Sequence, residues 1–220
     1  MAKFTESIHV GGHFTADTMT LPDASVSNAS VKSDAAIARA KLAQDTLSRF
    51  PVKLTDLRVW DAFQTNLPGT SATDDLGLYG GTFGSASPQI KTYDLKAAGA
   101  QTLYARVQIP LPAEYDAGET VTLRLHAGME TTVADTSATV DVEAYESDSE
   151  GGISADLCAT AAQTINSLVK ADKDFTITPT DLVAGDMLDV RITVAVNDAA
   201  TGTAVIAAIG AIELLCDIRG

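Results

Sequence analysis

Basic and aromatic side chains are scarce in this chain of 220 residues. It carries 15 Lys and Arg against 29 Asp and Glu, a formal charge of −14. That shortage opposes partnership with nucleic acid or an anionic membrane, because each phosphate contact draws on a Lys or Arg. Only 5% of residues are aromatic and there is one Trp. His occurs three times, at His9, His13 and His126. A cupin-like metal site would need two or three of them close in the fold. His9 and His13 are spaced for one helix face, but Gly11 and Gly12 between them break any helix, so ordinary polar His is expected. Cys158 and Cys216 form no CxxC pair and have no His beside them; they fit two free, buried thiols, with pairing left open. Long apolar runs are missing too. Met1 to Phe14 has none of signal-peptide length, and Thr203 to Cys216, broken by Glu213, is too short for a bilayer span. The expectation is a soluble protein made in a cytoplasm, without nucleic-acid or membrane partners.

What is present points to strands. Hydrophobic residues make up 45% of the chain and charged ones 20%, which excludes a disordered polymer. The 26 Thr suit a pleated surface, while 35 Ala imply a thin core and favour assembly with other subunits. Alternation is clean in three segments. Leu103, Ala105, Val107 and Ile109 share one face, with Tyr104, Arg106 and Gln108 on the other. Val121, Leu123 and Leu125 alternate with Thr122, Arg124 and His126, and Ala138, Val140, Val142 and Ala144 with Asp141 and Glu143. Phe175 and Ile177, Leu188 to Val196, and Val205 to Ile218 continue the pattern; Val52, Leu54, Leu57 and Val59 suggest an earlier strand. Residues 65–73 read as a turn-rich loop. The glycine-dense Leu76–Gly84 reads as a strand bent or crossed closely by another backbone.

A repeat organises these strands. Ala117-Gly118-Glu119-Thr120-Val121-Thr122-Leu123-Arg124-Leu125 matches Ala184-Gly185-Asp186-Met187-Leu188-Asp189-Val190-Arg191-Ile192, 67 residues later. In each copy Ala-Gly-acid makes a tight turn and the strand starts in register. Two such corners fit a jelly roll of two interlocked Greek keys; a tandem of two small domains is the rival reading. The fold class expected is mainly β, a jelly-roll-like antiparallel β-sandwich with an N-terminal extended arm and one short helix. Residues 1–50 form the arm and helix, and residues 51–220 the body. The helix runs from Ala35 to Ser48, capped by Ser33, with Ala36, Ala40, Ala43 and Leu47 on its stripe and Pro51 ending it. A further short helix is expected between strands at Ala159 to Lys170, from Ala162, Ile165, Leu168 and Val169.

The search for chemistry nominates no catalytic, cofactor-binding or metal-binding residue. Glu143, Glu146, Asp148 and Glu150 before Gly151-Gly152 lack the spacing of a calcium loop and read as a solvated connection. No nucleophile elbow, phosphate-cradling loop or Rossmann fingerprint occurs. Charge offers a different lead. Residues 1–106 hold 10 basic and 10 acidic side chains, whereas residues 107–220 hold 5 and 19. A neutral N-terminal half beside an acidic body suits a docking arm on an outward-facing module.

Met19-Thr20-Leu21-Pro22-Asp23-Ala24-Ser25-Val26-Ser27-Asn28 with Asp34-Ala35-Ala36-Ile37-Ala38-Arg39-Ala40-Lys41-Leu42 resembles the N-terminal region of tailed-bacteriophage head auxiliary proteins, the cement or decoration proteins of capsid shells. Ile109-Pro110-Leu111-Pro112, the Ala117 corner and Leu214-Leu215-Cys216-Asp217-Ile218 are similar to the β-sandwich part of such virion proteins. The resemblance implies a non-enzymatic protein on the virion surface, made in the host bacterial cytoplasm, that bridges neighbouring major capsid subunits. It implies a homo-oligomer, a trimer rather than a dimer, and places capsid docking on Leu21, Pro22, Ile37, Leu42, Leu47 and Phe50. The alternative is a receptor- or glycan-binding module of a phage head or tail fibre. Such modules present exposed Trp or Tyr, whereas here Trp60 reads as part of an apolar strand and Tyr104, Tyr115 and Tyr145 are scattered. A polysaccharide-cleaving jelly roll is a third reading, for which the sequence nominates no carboxylate.

Overall fold

Strong alternation over β4 (Gly99–Pro110), β5 (Val121–Met129), β6 (Ser137–Glu146) and β9 (Met187–Asp198) makes these the long strands of the chain. The computed structural model describes residues 47–147, 152–199 and 202–218. Its remaining strands are β1 (Leu47–Val52), β2 (Gly77–Tyr79), β3 (Gln89–Lys91), β7 (Gln163–Thr164), β8 (Ala171–Ile177) and β10 (Ala207–Asp217). They form two antiparallel sheets. The first runs β2-β3-β10-β5-β8, with β1 also paired to β10, and the second runs β4-β9-β6-β7. Counting β3 as first and β10 as eighth, the sheets read first-eighth-third-sixth and second-seventh-fourth-fifth. That is the strand order of a jelly roll, so the sandwich architecture is as expected.

The core lies between the sheets and follows from the alternation. Leu103, Ala105, Val107 and Ile109 of β4 face Val121, Leu123 and Leu125 of β5 across it, joined by Val140, Val142, Phe175, Ile192, Val194 and Leu214, all buried. Each fully buried large apolar side chain contributes about 1.5–3 kcal/mol relative to exposure. The two repeat copies serve one sandwich rather than two domains. Gly118 (φ +83°) turns into β5 of the first sheet and Gly185 (φ +91°) into β9 of the second. The chain just after β4 also reaches the second corner. Leu111 N–H donates to the Asp186 carbonyl at 2.8 Å, and Gly185 N–H to the Leu111 carbonyl at 3.2 Å.

Three local expectations are corrected. Leu47 and Ser48 do not end a helix; they begin β1, which pairs with β10 from Leu47↔Asp217 to Val52↔Ile212. Pro51 fits because β1 lies at the side of the sheet, where a missing N–H costs no ladder bond. The rest of the expected helix, the arm and the docking residues Leu21, Pro22, Ile37 and Leu42 lie outside the described residues. Residues 159–170 form no helix either. Ile165 N–H donates to the Ala138 carbonyl at 2.9 Å and the short β7 pairs with β6, so the sheet takes backbone donors that a helix would use. Ile165 is buried, but Leu168 and Val169 are exposed. Finally, the strand expected over 52–59 is broken by a single 3-10 turn at Leu54–Asp56.

The glycine-dense stretch behaves as its composition suggests. A Cβ on Gly77 would run into the backbone of Thr70 and Ser71, so two segments pass each other there. His126 accepts its default role: its Nδ1 lies 2.8 Å from Asp172 Oδ1. Both cysteines are free, and burial pushes the Cys216 thiol up to about 11.

Candidate functional site

The outer face of the second sheet gathers side chains that the chain keeps far apart. On β4 the outward positions are Tyr104, Arg106 and Gln108; on β9 Thr193, Arg191 and Asp189; on β6 Asp141, Glu143 and Tyr145. Register sets them in rows. Arg106, Arg191 and Glu143 share one, and Gln108, Asp189 and Tyr145 the next. Two arginines directly opposite each other would repel, so each is held by its own acid. Arg106 Nε donates to Asp189 Oδ1 at 2.7 Å, and its Nη2 to Oδ2, in a two-pronged pair. Arg191 pairs with Glu143. The hydrogen bond from Arg106 to the buried Asp189 carboxylate holds the guanidinium pKa above its ordinary value.

A connecting segment completes the site. Residues 57–76 lie along the free edge of β4, where alternate N–H and C=O groups would otherwise be unpaired. Arg58 and Arg106 exchange backbone hydrogen bonds of 2.8 and 3.0 Å; Tyr104 N–H donates to the Asp74 carbonyl at 2.7 Å, and Leu76 N–H to the Tyr104 carbonyl at 2.9 Å. This docking carries Trp60 over the sheet. The Trp60 and Tyr104 rings stand 5.0 Å apart, tilted by 46°. Trp60 Nε1–H donates to Asp74 Oδ2 at 3.1 Å. The Arg191 guanidinium carbon lies 5.5 Å from the Trp60 ring centre and 5.2 Å from that of Tyr104. Arg106 sits 5.0 Å from the Phe63 ring. Each such cation–ring contact is worth about 0.5–1 kcal/mol or more where water is excluded.

Together Trp60, Asp61, Arg106, Glu143, Tyr145, Ile153, Asp189 and Arg191 line an open cavity of about 350 Å³. Burial first, and then Asp74 and Asp61, raise the Asp75 carboxyl above its ordinary value. Burial and the nearby Glu143 carboxylate raise the Tyr145 hydroxyl. The cavity lining itself carries Asp61, Glu143 and Asp189 against Arg106 and Arg191. Among the described residues no three His, Cys, Asp or Glu side chains converge to hold a metal ion. Nor is any described helix long and apolar enough to cross a membrane.

No family model and no curated protein matches the chain. Solved structures do. The xylan-binding module CBM15 is 11% identical, covering 80% of this chain and 100% of its own, with a TM-score of 0.44. The CBM22-1 xylan-binding domain from Paenibacillus barcinonensis Xyn10C is 9% identical, covering 66% of this chain and 82% of its own, with a TM-score of 0.36. A family 30 carbohydrate-binding module of the Clostridium thermocellum cellulosomal cellulase is also 9% identical, covering 66% and 83%, with a TM-score of 0.31. The likeness is one of fold.

Of the residues expected to dock, only Leu47 and Phe50 are described. Leu47 is exposed, whereas Phe50 packs against the core, so it offers little surface to a partner. Trp60 does not belong to an apolar strand; it sits on the segment laid over β4. Tyr104 and Tyr145 meet it on one face, while Tyr115 is buried and donates its hydroxyl to the Glu119 carbonyl at 2.8 Å. Sequence reasoning placed Tyr104, Arg106 and Glu143 on outward faces but had no means to join them. The available signal is that the outward positions of three strands that neighbour each other in this sheet carry large polar or aromatic side chains.

Proposed function

We propose that the chain is a non-catalytic glycan-binding β-sandwich that holds a sugar chain on the outer face of its second sheet. The supporting observation is the Trp60–Tyr104 pair beside an open cavity ringed by Arg, Glu, Asp and Tyr side chains. A pyranose offers C–H faces that rest on aromatic rings, and hydroxyls that donate to carboxylates and accept from guanidinium groups. Both kinds of partner meet here, on β4, β9 and β6 and on the segment docked along β4. The test is binding to a panel of soluble polysaccharides, xylan among them, by affinity electrophoresis. Trp60→Ala should weaken retardation at least tenfold, roughly the loss of one interface anchor. Retardation unchanged by that substitution removes the reading.

A capsid-cementing role, with the major capsid protein as partner and a trimer as the assembly, is a separate proposal. The observation favouring it is Leu47, 46% exposed on a strand at the side of the first sheet. Decoration of purified shells by Leu47→Asp protein at undiminished affinity would remove Leu47 from that interface.

A further inference from the structure

We infer that the glycan taken by this face is uncharged, and that Glu143 is the residue that selects against acidic sugars. The inference rests on the glycan-binding reading and adds the ligand's charge. Two arginines line the cavity, and an arginine pair is the usual means of holding a uronate or sulfate, through two parallel hydrogen bonds. Here each arginine is already paired with a carboxylate. Arg106 spends its Nε and Nη2 on Asp189, and Arg191 is paired with Glu143. The lining then holds Arg106 and Arg191 against Asp61, Glu143 and Asp189, one carboxylate in excess. Asp74 accepts the Trp60 indole N–H, and Asp74 and Asp61 are close enough to raise Asp75, so the aromatic edge faces more negative charge.

An incoming carboxylate would therefore meet two guanidinium groups whose charge is already neutralised, and several like charges. A neutral sugar brings no charge to oppose these carboxylates and still meets the rings and the polar groups of the lining. Glu143 is the decisive member because it neutralises the cation stacked against Trp60 and Tyr104. Removing its charge leaves the Arg191 guanidinium, already placed at the rings, free to take an acidic group.

The experiment prints neutral glycans (xylan, glucan, galactomannan) beside uronate- and sulfate-bearing ones (polygalacturonate, heparin) and probes the full-length protein. The wild type should bind the neutral set and discriminate against the acidic set, and the discrimination should narrow as salt rises. Glu143→Gln should gain at least fivefold on polygalacturonate relative to the neutral set. Asp61→Asn, at an exposed position outside the arginine pairs, should shift preference the same way by about twofold; it also serves if Glu143→Gln misfolds. Preference of the wild type for acidic glycans, or no shift in either folded variant, overturns the inference and leaves the glycan reading standing. Binding to neither set removes the glycan reading, and the inference with it.

Discussion

Arg124 and Arg191 occupy the same place in the two copies of the repeat, yet their surroundings differ. Arg124 points out from the first sheet, where Nε and Nη2 reach Asp174 at 2.6 and 2.7 Å and Asp172 lies 3.6 Å away. Its cross-strand neighbours are Asp174 and Glu213, and it shares Asp172 with the His126 imidazole. Arg191 points out from the second sheet, between Glu143 and two aromatic rings. One motif thus builds a ladder of ion pairs on one face and an open cavity flanked by aromatic rings on the other. What separates them is covering backbone. The edge of β8 receives residues 157–160, which bring Leu157, Cys158, Ala159 and Thr160 and no aromatic ring, whereas the edge of β4 receives residues 57–76, which bring Trp60 and Phe63. The repeat supplies the arginine; the edge-covering segment decides whether it becomes a site.

The sharpest way to break this comparison is through the acids. Asp189 is 5% exposed and holds Arg106 by two hydrogen bonds, whereas the Asp174 side chain is 48% exposed. Removing one partner of a mostly buried pair leaves the other charge uncompensated, so Asp189→Ala should cost about 2–3 kcal/mol in urea unfolding. Asp174→Ala should cost less than about 1 kcal/mol, because its pair is screened by water. Equal losses would mean that the two faces are energetically alike. Next in size is binding itself. Trp60→Ala should weaken polysaccharide retardation tenfold or more, while Arg124→Ala leaves it unchanged. Loss with Arg124→Ala would move the ligand to the first sheet.

The sandwich was legible because alternation in β4, β5, β6 and β9 is strict, and one residue of slip would turn every core side chain outward. The corners were legible too, since Gly118 and Gly185 adopt the positive φ that the Ala-Gly-acid pattern suggests. Residues 159–170 escape the helical expectation because the apolar stripe Ala162, Ile165, Leu168 and Val169 carries no mark of the neighbouring β6 edge that claims its backbone. The site was hidden for a related reason. Trp60, Tyr104, Glu143 and Arg191 span more than half of the chain, and only the pairing order of β4, β9 and β6 brings them together. Trp60 itself follows the buried Leu57 and Val59, a context that reads as one more apolar strand.

The smallest expected effect separates the faces by pH. Hydrogen bonding to Arg124 holds Asp174 below the ordinary carboxylate value of 3.8, with burial opposing it. Its charged form therefore stabilises the fold above that value, and the contribution is lost as pH falls through the depressed pKa. Asp75 is shifted the other way, by burial first and then by Asp74 and Asp61, and one of its oxygens is buried without a hydrogen-bond partner. A raised carboxylate destabilises the fold above its folded pKa, and protonation relieves the strain as pH falls through it. Asp75→Asn should then raise the melting temperature at pH 7 by about 1–3 °C, with the gain fading as pH approaches 4. Asp174→Asn should lower it by a similar amount at pH 7, with the loss shrinking below pH 4. Thermal unfolding from pH 3 to 8 gives both curves. Opposite signs at neutral pH would place unrelieved negative charge beside Trp60 and none on the Arg124 ladder, whereas matching signs would remove the acidic rim on which rejection of charged sugars depends.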